Sequence, residues 1–496
     1  MAGDVTADAG LRRDAIGLRE VLFQSITAMA PAAAVAASIP SGAAFAGGSL
    51  PLAVLIALVA CLFTASCVAE LARELPAAGS VSTYAAQGLH PAVGFLVGWG
   101  YVFVEALVPP LLLLQLGFTT AGTLHQEWSS YPADLWWPWA LAGAAIIAAA
   151  GYFGVRASAR FGTVLGVFEV LVFLVFAVWL IGKAGAANTL SVFATSHTAE
   201  GYQGISGVFA GSVYTVLAFA GFEAAAPLAE ETRNPRRTMH RAVLGAALGI
   251  GLFYVVTTYA MTVYVGPDRF AKFGASGAAS WEGVARASFG LFWVLVFLAV
   301  VNSTIANANA CANVSTRTAF ALARIRVLPR LFAMLHPIYR SPVAGIAVQT
   351  VVAVGAVLGL GFGYDPVTAF LLLATVIVTV VIGVYIVVNL ACAGYFLRRR
   401  RELLKPVRHL LLPLLGIVAF VPALLTAAGL PVFDFVTELT APVSYAGPIV
   451  AVWMAVGVVV LLVLMRRHPE RISETARVHL DDPSPTDPAQ NGAARR

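Results

Sequence analysis

The feature that most constrains this chain is a succession of apolar runs, recurring from residue 22 to residue 465, each long enough to cross a hydrocarbon core about 30 Å thick. In such a core backbone N–H and C=O groups have no water to bond, so a spanning segment must satisfy them internally, as a helix does. The runs predict about twelve spans, near 22–46, 51–73, 92–122, 136–154, 161–182, 204–229, 241–265, 287–322, 343–362, 367–396, 410–428 and 444–465. The third and eighth are longer than a crossing needs and predict tilt or extra interfacial turns. Only 11% of residues are charged, against about 25% in an average soluble domain. The fold class expected is an all-α integral membrane protein, with one transmembrane domain over residues 21–466. Polar segments flank it at 1–20 and 467–496; the first has no apolar h-region of a secretory signal, and the second is charged, Pro-rich and expected to be disordered.

Charge placement predicts orientation. If the N-terminus is cytoplasmic, all of the 31 Lys and Arg residues except Lys183, Arg269, Lys272 and Arg286 fall on the cytoplasmic side. That bias predicts a multi-pass cell-membrane protein with both termini cytoplasmic and an even number of spans. The net charge of +6 is explained by this placement and calls for no nucleic-acid partner. Cys61, Cys67, Cys311 and Cys392 lie in apolar runs, at spacings that match neither a metal site nor a disulfide framework. No cofactor and no metal is expected.

Three acids fall inside the predicted spans: Glu105, Glu169 and Glu223. A charge in lipid is costly, so each should face the protein interior or a water-filled cavity, protonated or paired with a cation. With no basic side chain nearby in sequence, a proton or a substrate ammonium group would serve. Two spans are also interrupted. The first reads SITAMAPAAAVAASIPSGAAFAGG, with Pro31 and Pro40; the sixth reads VYTVLAFAGFEAAAPLAEE, with Gly221 and Pro227. A proline inside a helix removes a hydrogen bond and crowds the preceding turn. Interrupted helices in corresponding places of two five-helix halves (22–182 and 204–396, followed by helices at 410–465) point to an inverted-repeat transporter with a midplane site. Two ordinary proline kinks are the plainer alternative.

Three stretches resemble a known family: AELARELPAAGSVSTYAAQGLHPAVGFLVGW (69–99), FAGFEAAAPLAEETRNPRRTMHRAV (219–243) and RTAFALARIRVLPRLFAMLHPIYRSPVAGI (317–346), with GVRASARFGTVLGVFEV (154–170) a weaker fourth. Together they are similar to the amino acid–polyamine–organocation permeases, built on the five-plus-five (LeuT-type) fold with helices 1 and 6 discontinuous. The resemblance implies that a substrate carboxylate meets backbone N–H groups within Ala30, Pro31, Ala32, Ala33, Ala34 and Val35. It implies that the substrate ammonium meets carbonyls around Ala218, Phe219, Ala220 and Gly221, with the Phe219 ring as a thin gate or else a packing residue. Glu169 stands where many sodium-independent members carry a lysine. Glu223 matches the helix 6 acid of arginine/agmatine and polyamine exchangers, and Glu105 falls near a helix 3 gate position. Asn307 is the candidate cation contact in a polar series on span 8 (Asn302, Ser303, Thr304, Asn307, Asn309, Asn313) that interhelical packing would also explain. The first span lacks the family's GxG and reads AMAPAAAVAA instead.

The function expected is secondary active transport of amino acids by alternating access and proton-coupled symport, with sodium as the alternative coupling ion. An exchanger or importer of polyamines or cationic amino acids is the competing reading. A membrane enzyme is disfavoured, because the loops carry no HExxH, nucleophile elbow or Cys/His cluster. A sensor would be expected to carry a signalling domain. The partners are therefore a small amino acid or amine, a coupling ion and membrane lipid.

Overall fold

A computed structural model describes residues 17–468, together with 470 and 472 and apart from 77–78, 154–158, 203, 276–278, 325–328 and 340. The expected terminal tails lie almost wholly outside the described residues, as does part of the 154–170 stretch. Every regular element among the described residues is helical. The main ones are α1 (Leu18–Ala28), α2 (Pro31–Ala33), α3 (Leu50–Glu74), α4 (Ser80–Gly88), α5 (Pro91–Glu127), α6 (Trp137–Phe153), α7 (Ala159–Ala184) and α8 (Ile205–Phe219). They continue with α9 (Pro235–Val265), α10 (Ala279–Phe289), α11 (Phe292–Arg324), α12 (Val343–Tyr364), α13 (Pro366–Arg398), α14 (Leu412–Ala428) and α15 (Ala446–Arg467).

Among the described residues, eleven helical stretches are long and apolar enough to cross a membrane. A further apolar helix, α6, has only 17 residues, about 25 Å at helical rise. It occupies the fourth predicted span. The overlong third span is a single helix of 37 residues despite Pro109 and Pro110 within it, so length is absorbed without a loop.

Local chemistry sets the ends. Pro91, Pro235 and Pro366 stand at first helical positions, where the missing N–H is no loss. Asp365 accepts from the N–H groups of Val367 and Thr368, each at 2.9 Å, and caps α13. The buried core runs through α3, α8, α9 and α13, whereas α12 and α15 present apolar side chains outward: Val351 is 71% exposed and Val452 66%. In a membrane those side chains meet lipid.

Polar contacts between helices stand at particular seams. Asn389 of α13 donates to Thr64 of α3 at 2.8 Å. Trp99 of α5 and Trp453 of α15 each donate the indole N–H to the other's backbone carbonyl, at 3.0 and 3.2 Å, with their rings stacked. At one end of the bundle Glu70 of α3 meets Arg408 at 3.3 Å and both His240 and His409 at 3.8 Å, tying α3 to α9 and to the turn that starts α14.

Candidate functional site

The first span is not one continuous α-helix. Its α-helical turns stop at Ala28, Ala30 has φ of +45°, and helix resumes at Pro31. The cause is local. Pro31 has no N–H to give to the preceding turn, and its ring pushes the residue before it out of right-handed helix. A left-handed conformation costs a non-glycine residue about 1–2 kcal/mol. The continuation widens into a π turn over Ala34–Ser38, just ahead of Pro40. Single π turns of this kind recur at functional sites.

The sixth span ends its α-helix at Phe219 and continues as a 3₁₀ stretch, Phe222–Glu231, after Gly221 at φ +113°. Gly221 is required twice over. Its φ disfavours any L side chain, and a Cβ there would sit 2.7 Å from the carbonyl carbon and oxygen of Ala28. The two interruptions therefore pack against each other.

Buried hydroxyls join them. The Tyr254 hydroxyl of α9 lies 2.8 Å from the Met29 carbonyl and 3.0 Å from the Ala218 carbonyl, so one side chain serves both interruptions. Ser25 donates to the Phe222 carbonyl at 2.8 Å and accepts from the Ala225 N–H at 3.1 Å. Ser38 donates to the Tyr214 carbonyl at 2.8 Å, and Gln115 of α5 donates to the Ala33 carbonyl at 2.8 Å.

A cavity of about 90 Å³ opens where these segments meet. A single water needs at least about 10–15 Å³ by this measure, so there is room for several waters or a small solute. Of the residues singled out in sequence, Ala30, Ala33, Ala34, Ala218, Ala220, Gly221, Glu105, Glu223 and Asn307 line it. In a helix that starts at Pro31, the N–H groups of Ala32 and Ala33 have no partner one turn back, and that end attracts an anion. Among the described residues, no Lys, Arg or His lines the cavity.

Several of the residues singled out stand away from this cavity. Pro31, Ala32 and Val35 do not line the cavity; Ala32 and Val35 are packed into the core. Phe219 packs away from the cavity wall in this structure. Its ring is fully buried, packs edge-on against Tyr254 at 5.4 Å, and is absent from the cavity wall. The last turn of α8 directs it toward α9, while Ala218 and Ala220 face the cavity. Glu169 is also elsewhere. It is 3% exposed and lines a separate cavity of about 270 Å³ among Thr27, Gly166, Asn302 and Asn309, beside Ser303. Its Oε2 accepts no hydrogen bond.

The two acids that share the first cavity differ in surroundings. Glu223 is 2% exposed, and both of its oxygens are engaged. Oε1 accepts from the Tyr101 hydroxyl at 3.2 Å, and Oε2 accepts from the Tyr385 hydroxyl at 2.9 Å and the Gly221 N–H at 3.2 Å. Glu105 Oε2 accepts nothing. Tyr101, Tyr385 and Gln115 were not singled out in sequence. A tyrosine in an apolar span carries no local sign of its partner, and Tyr385 stands 162 residues from Glu223.

The family model for amino acid permeases matches residues 20–473. The chain is 27% identical over 377 residues to the low-affinity putrescine importer PlaP of Escherichia coli, covering 74% of this chain and 79% of that one. It is 24% identical over 323 residues to the branched-chain amino acid permease BcaP of Bacillus subtilis, covering 61% and 65%. It is 24% identical over 334 residues to the methylthioribose transporter of Bacillus subtilis, covering 62% and 67%.

Proposed function

The chain belongs to the amino acid permease family, and from that premise we propose that it is a secondary active transporter that carries an amino acid or a related amine across the cell membrane by alternating access. The observation that carries the reading is the cavity at the two interruptions, lined by Glu105 and Glu223 and by no basic side chain among the described residues. A solute ammonium would be drawn to the acids and the carbonyls of Ala218 and its neighbours. A solute carboxylate would lie toward the N–H group of Ala33, which lines the cavity. The functional unit is residues 21–466, as two five-helix halves at 22–182 and 204–396 followed by the helices at 410–465. Coupling to protons is supported by the embedded carboxyls, with Glu169 in its own cavity as a second proton or cation carrier and sodium as the alternative ion. The bias of Lys and Arg supports cytoplasmic termini.

The test is uptake into proteoliposomes of the purified protein. An amino acid or amine accumulating under an inward proton gradient, and collapsing with a protonophore, is the expected result. No uptake or counterflow across a panel of amino acids and amines would reject the reading. A polyamine or cationic amino acid as solute is favoured by one observation, that Glu105, with an unbonded carboxylate oxygen, lines a cavity whose wall holds no basic side chain among the described residues.

A further inference from the structure

The two cavity acids are not equivalent, and their difference identifies which one meets the solute. Glu223 is saturated by the hydroxyls of Tyr101 and Tyr385 and by the Gly221 N–H. Those three donors come from α5, α13 and the interruption itself, so the carboxylate fastens two helices to the sixth-span break. A carboxylate holding three donors has little acceptor capacity left for a ligand.

Glu105 sits on α5 one turn beyond Tyr101 and lines the same cavity. Its Oε2 is buried and accepts no hydrogen bond. The thiol of Cys311 lies within hydrogen-bond reach of the Glu105 carboxyl and also 3.3 Å from Asn307 Oδ1, so its one proton is shared between two acceptors while Glu105 Oε2 stays without a partner. A buried carboxylate oxygen with no protein donor is costly, and an entering ammonium would satisfy it. The cavity supplies a different receptor for a first ammonium, the carbonyl-rich end of α8 around Ala218 and Ala220. Glu105 is carried by a different helix, α5.

We propose that Glu105 receives a second ammonium group of the solute while Glu223 is a positioning residue, so that the preferred solutes are doubly cationic: short diamines or dibasic amino acids. This rests on the transport reading above and names its substrate class. Val104, Val108, Leu112 and Ile377 line the same cavity, and apolar walls of this kind suit the methylene spacer of such a molecule.

The experiment measures binding to the full-length detergent-solubilised protein. One pair of probes is L-lysine and L-norleucine, which differ by the distal ammonium; the other is 1,4-diaminobutane and n-butylamine. Wild type should prefer the doubly charged member of each pair. A hydrogen bond to a charged group corresponds to about 10- to 100-fold in affinity, and E105Q should lower the lysine-to-norleucine ratio by about that factor. E223Q and Y385F should weaken both members together and leave the ratio standing. E105D withdraws the carboxylate by about one methylene and should move the preferred diamine to a longer spacer, a shift that a structural role would not produce. An unchanged ratio in E105Q with an unmoved spacer optimum in E105D overturns the proposal, as does a wild type that prefers norleucine. If norleucine is transported and only the preference is absent, this inference fails and the transport reading survives. If nothing is bound or transported, the transport reading fails first.

Discussion

Gly221→Ala is the smallest change that tests the geometry of the site. Two costs add. The position has φ of +113°, where a side chain costs about 1–3 kcal/mol. The new Cβ would also meet the Ala28 carbonyl carbon and oxygen at 2.7 Å and the Ala28 Cβ at 2.9 Å. Two of those three atoms are backbone, in a helix held by Ser25, so they cannot swing aside as the end of a flexible side chain would. Overpacking of this kind costs about 1–3 kcal/mol. The expected destabilisation is therefore about 2–6 kcal/mol, with loss of the packed contact between the two interruptions. The assay is denaturant unfolding in detergent micelles, followed by ligand binding to whatever fraction stays folded. Gly249→Ala is the control: nothing lies within 4 Å of its Cβ position, and in a helix interior alanine is favoured by up to about 1 kcal/mol. A Gly221→Ala protein with wild-type unfolding midpoint and wild-type affinity would refute the claim that the two breaks pack backbone on backbone. Gly221→Leu, and a bulky residue at Ala34, should abolish binding in correctly inserted protein.

Tyr254→Phe removes the hydroxyl beside the Met29 and Ala218 carbonyls and should cost about 1–3 kcal/mol in the same unfolding assay, with solute binding weakened alongside. Glu282, on α10 outside the spans, is 1% exposed with neither carboxylate oxygen bonded, and burial pushes its carboxyl up to about 8. A carboxyl that holds its proton more tightly when folded stabilises at low pH. Stability should thus fall as pH rises from about 4.5 to 8, and Tm measured across that window should lose this slope in Glu282→Gln. In a protein without its native cysteines, an impermeant thiol reagent applied to intact cells should label a cysteine at Glu438 and not one at Arg330, the reverse pattern refuting cytoplasmic termini. Arg495, a third test position expected to stay unlabelled, lies outside the described residues.

The helical fold was legible because lipid leaves a chain few options: long apolar runs could only become helices, and their lengths were set by the bilayer. The interruptions were legible for a related reason, since Pro31 and Gly221 are residues with backbone consequences. What pattern could not convey was rotation about a helix axis. Phe219 and Ala218 are neighbours in sequence, yet one faces α9 and the other the cavity. Glu169 and Glu105 look alike as embedded acids, yet they line different cavities. Likewise the partners of Glu223 come from α5 and α13. A long-range hydrogen bond of that kind leaves no trace in local spacing.

The Ser25 clasp has a mechanical consequence. Its hydroxyl donates to one backbone group of the Phe222–Glu231 segment and accepts from another, and Ala28 lies against Gly221 in the same seam. Together with the Tyr254 hydroxyl these bonds are worth about 3 kcal/mol at roughly 1 kcal/mol each. Residues 18–28 and 222–231 are thus joined along one seam, with Gly221 against Ala28. A displacement of the first segment on its own would have to break that seam, so moving the two segments together costs less than moving either alone.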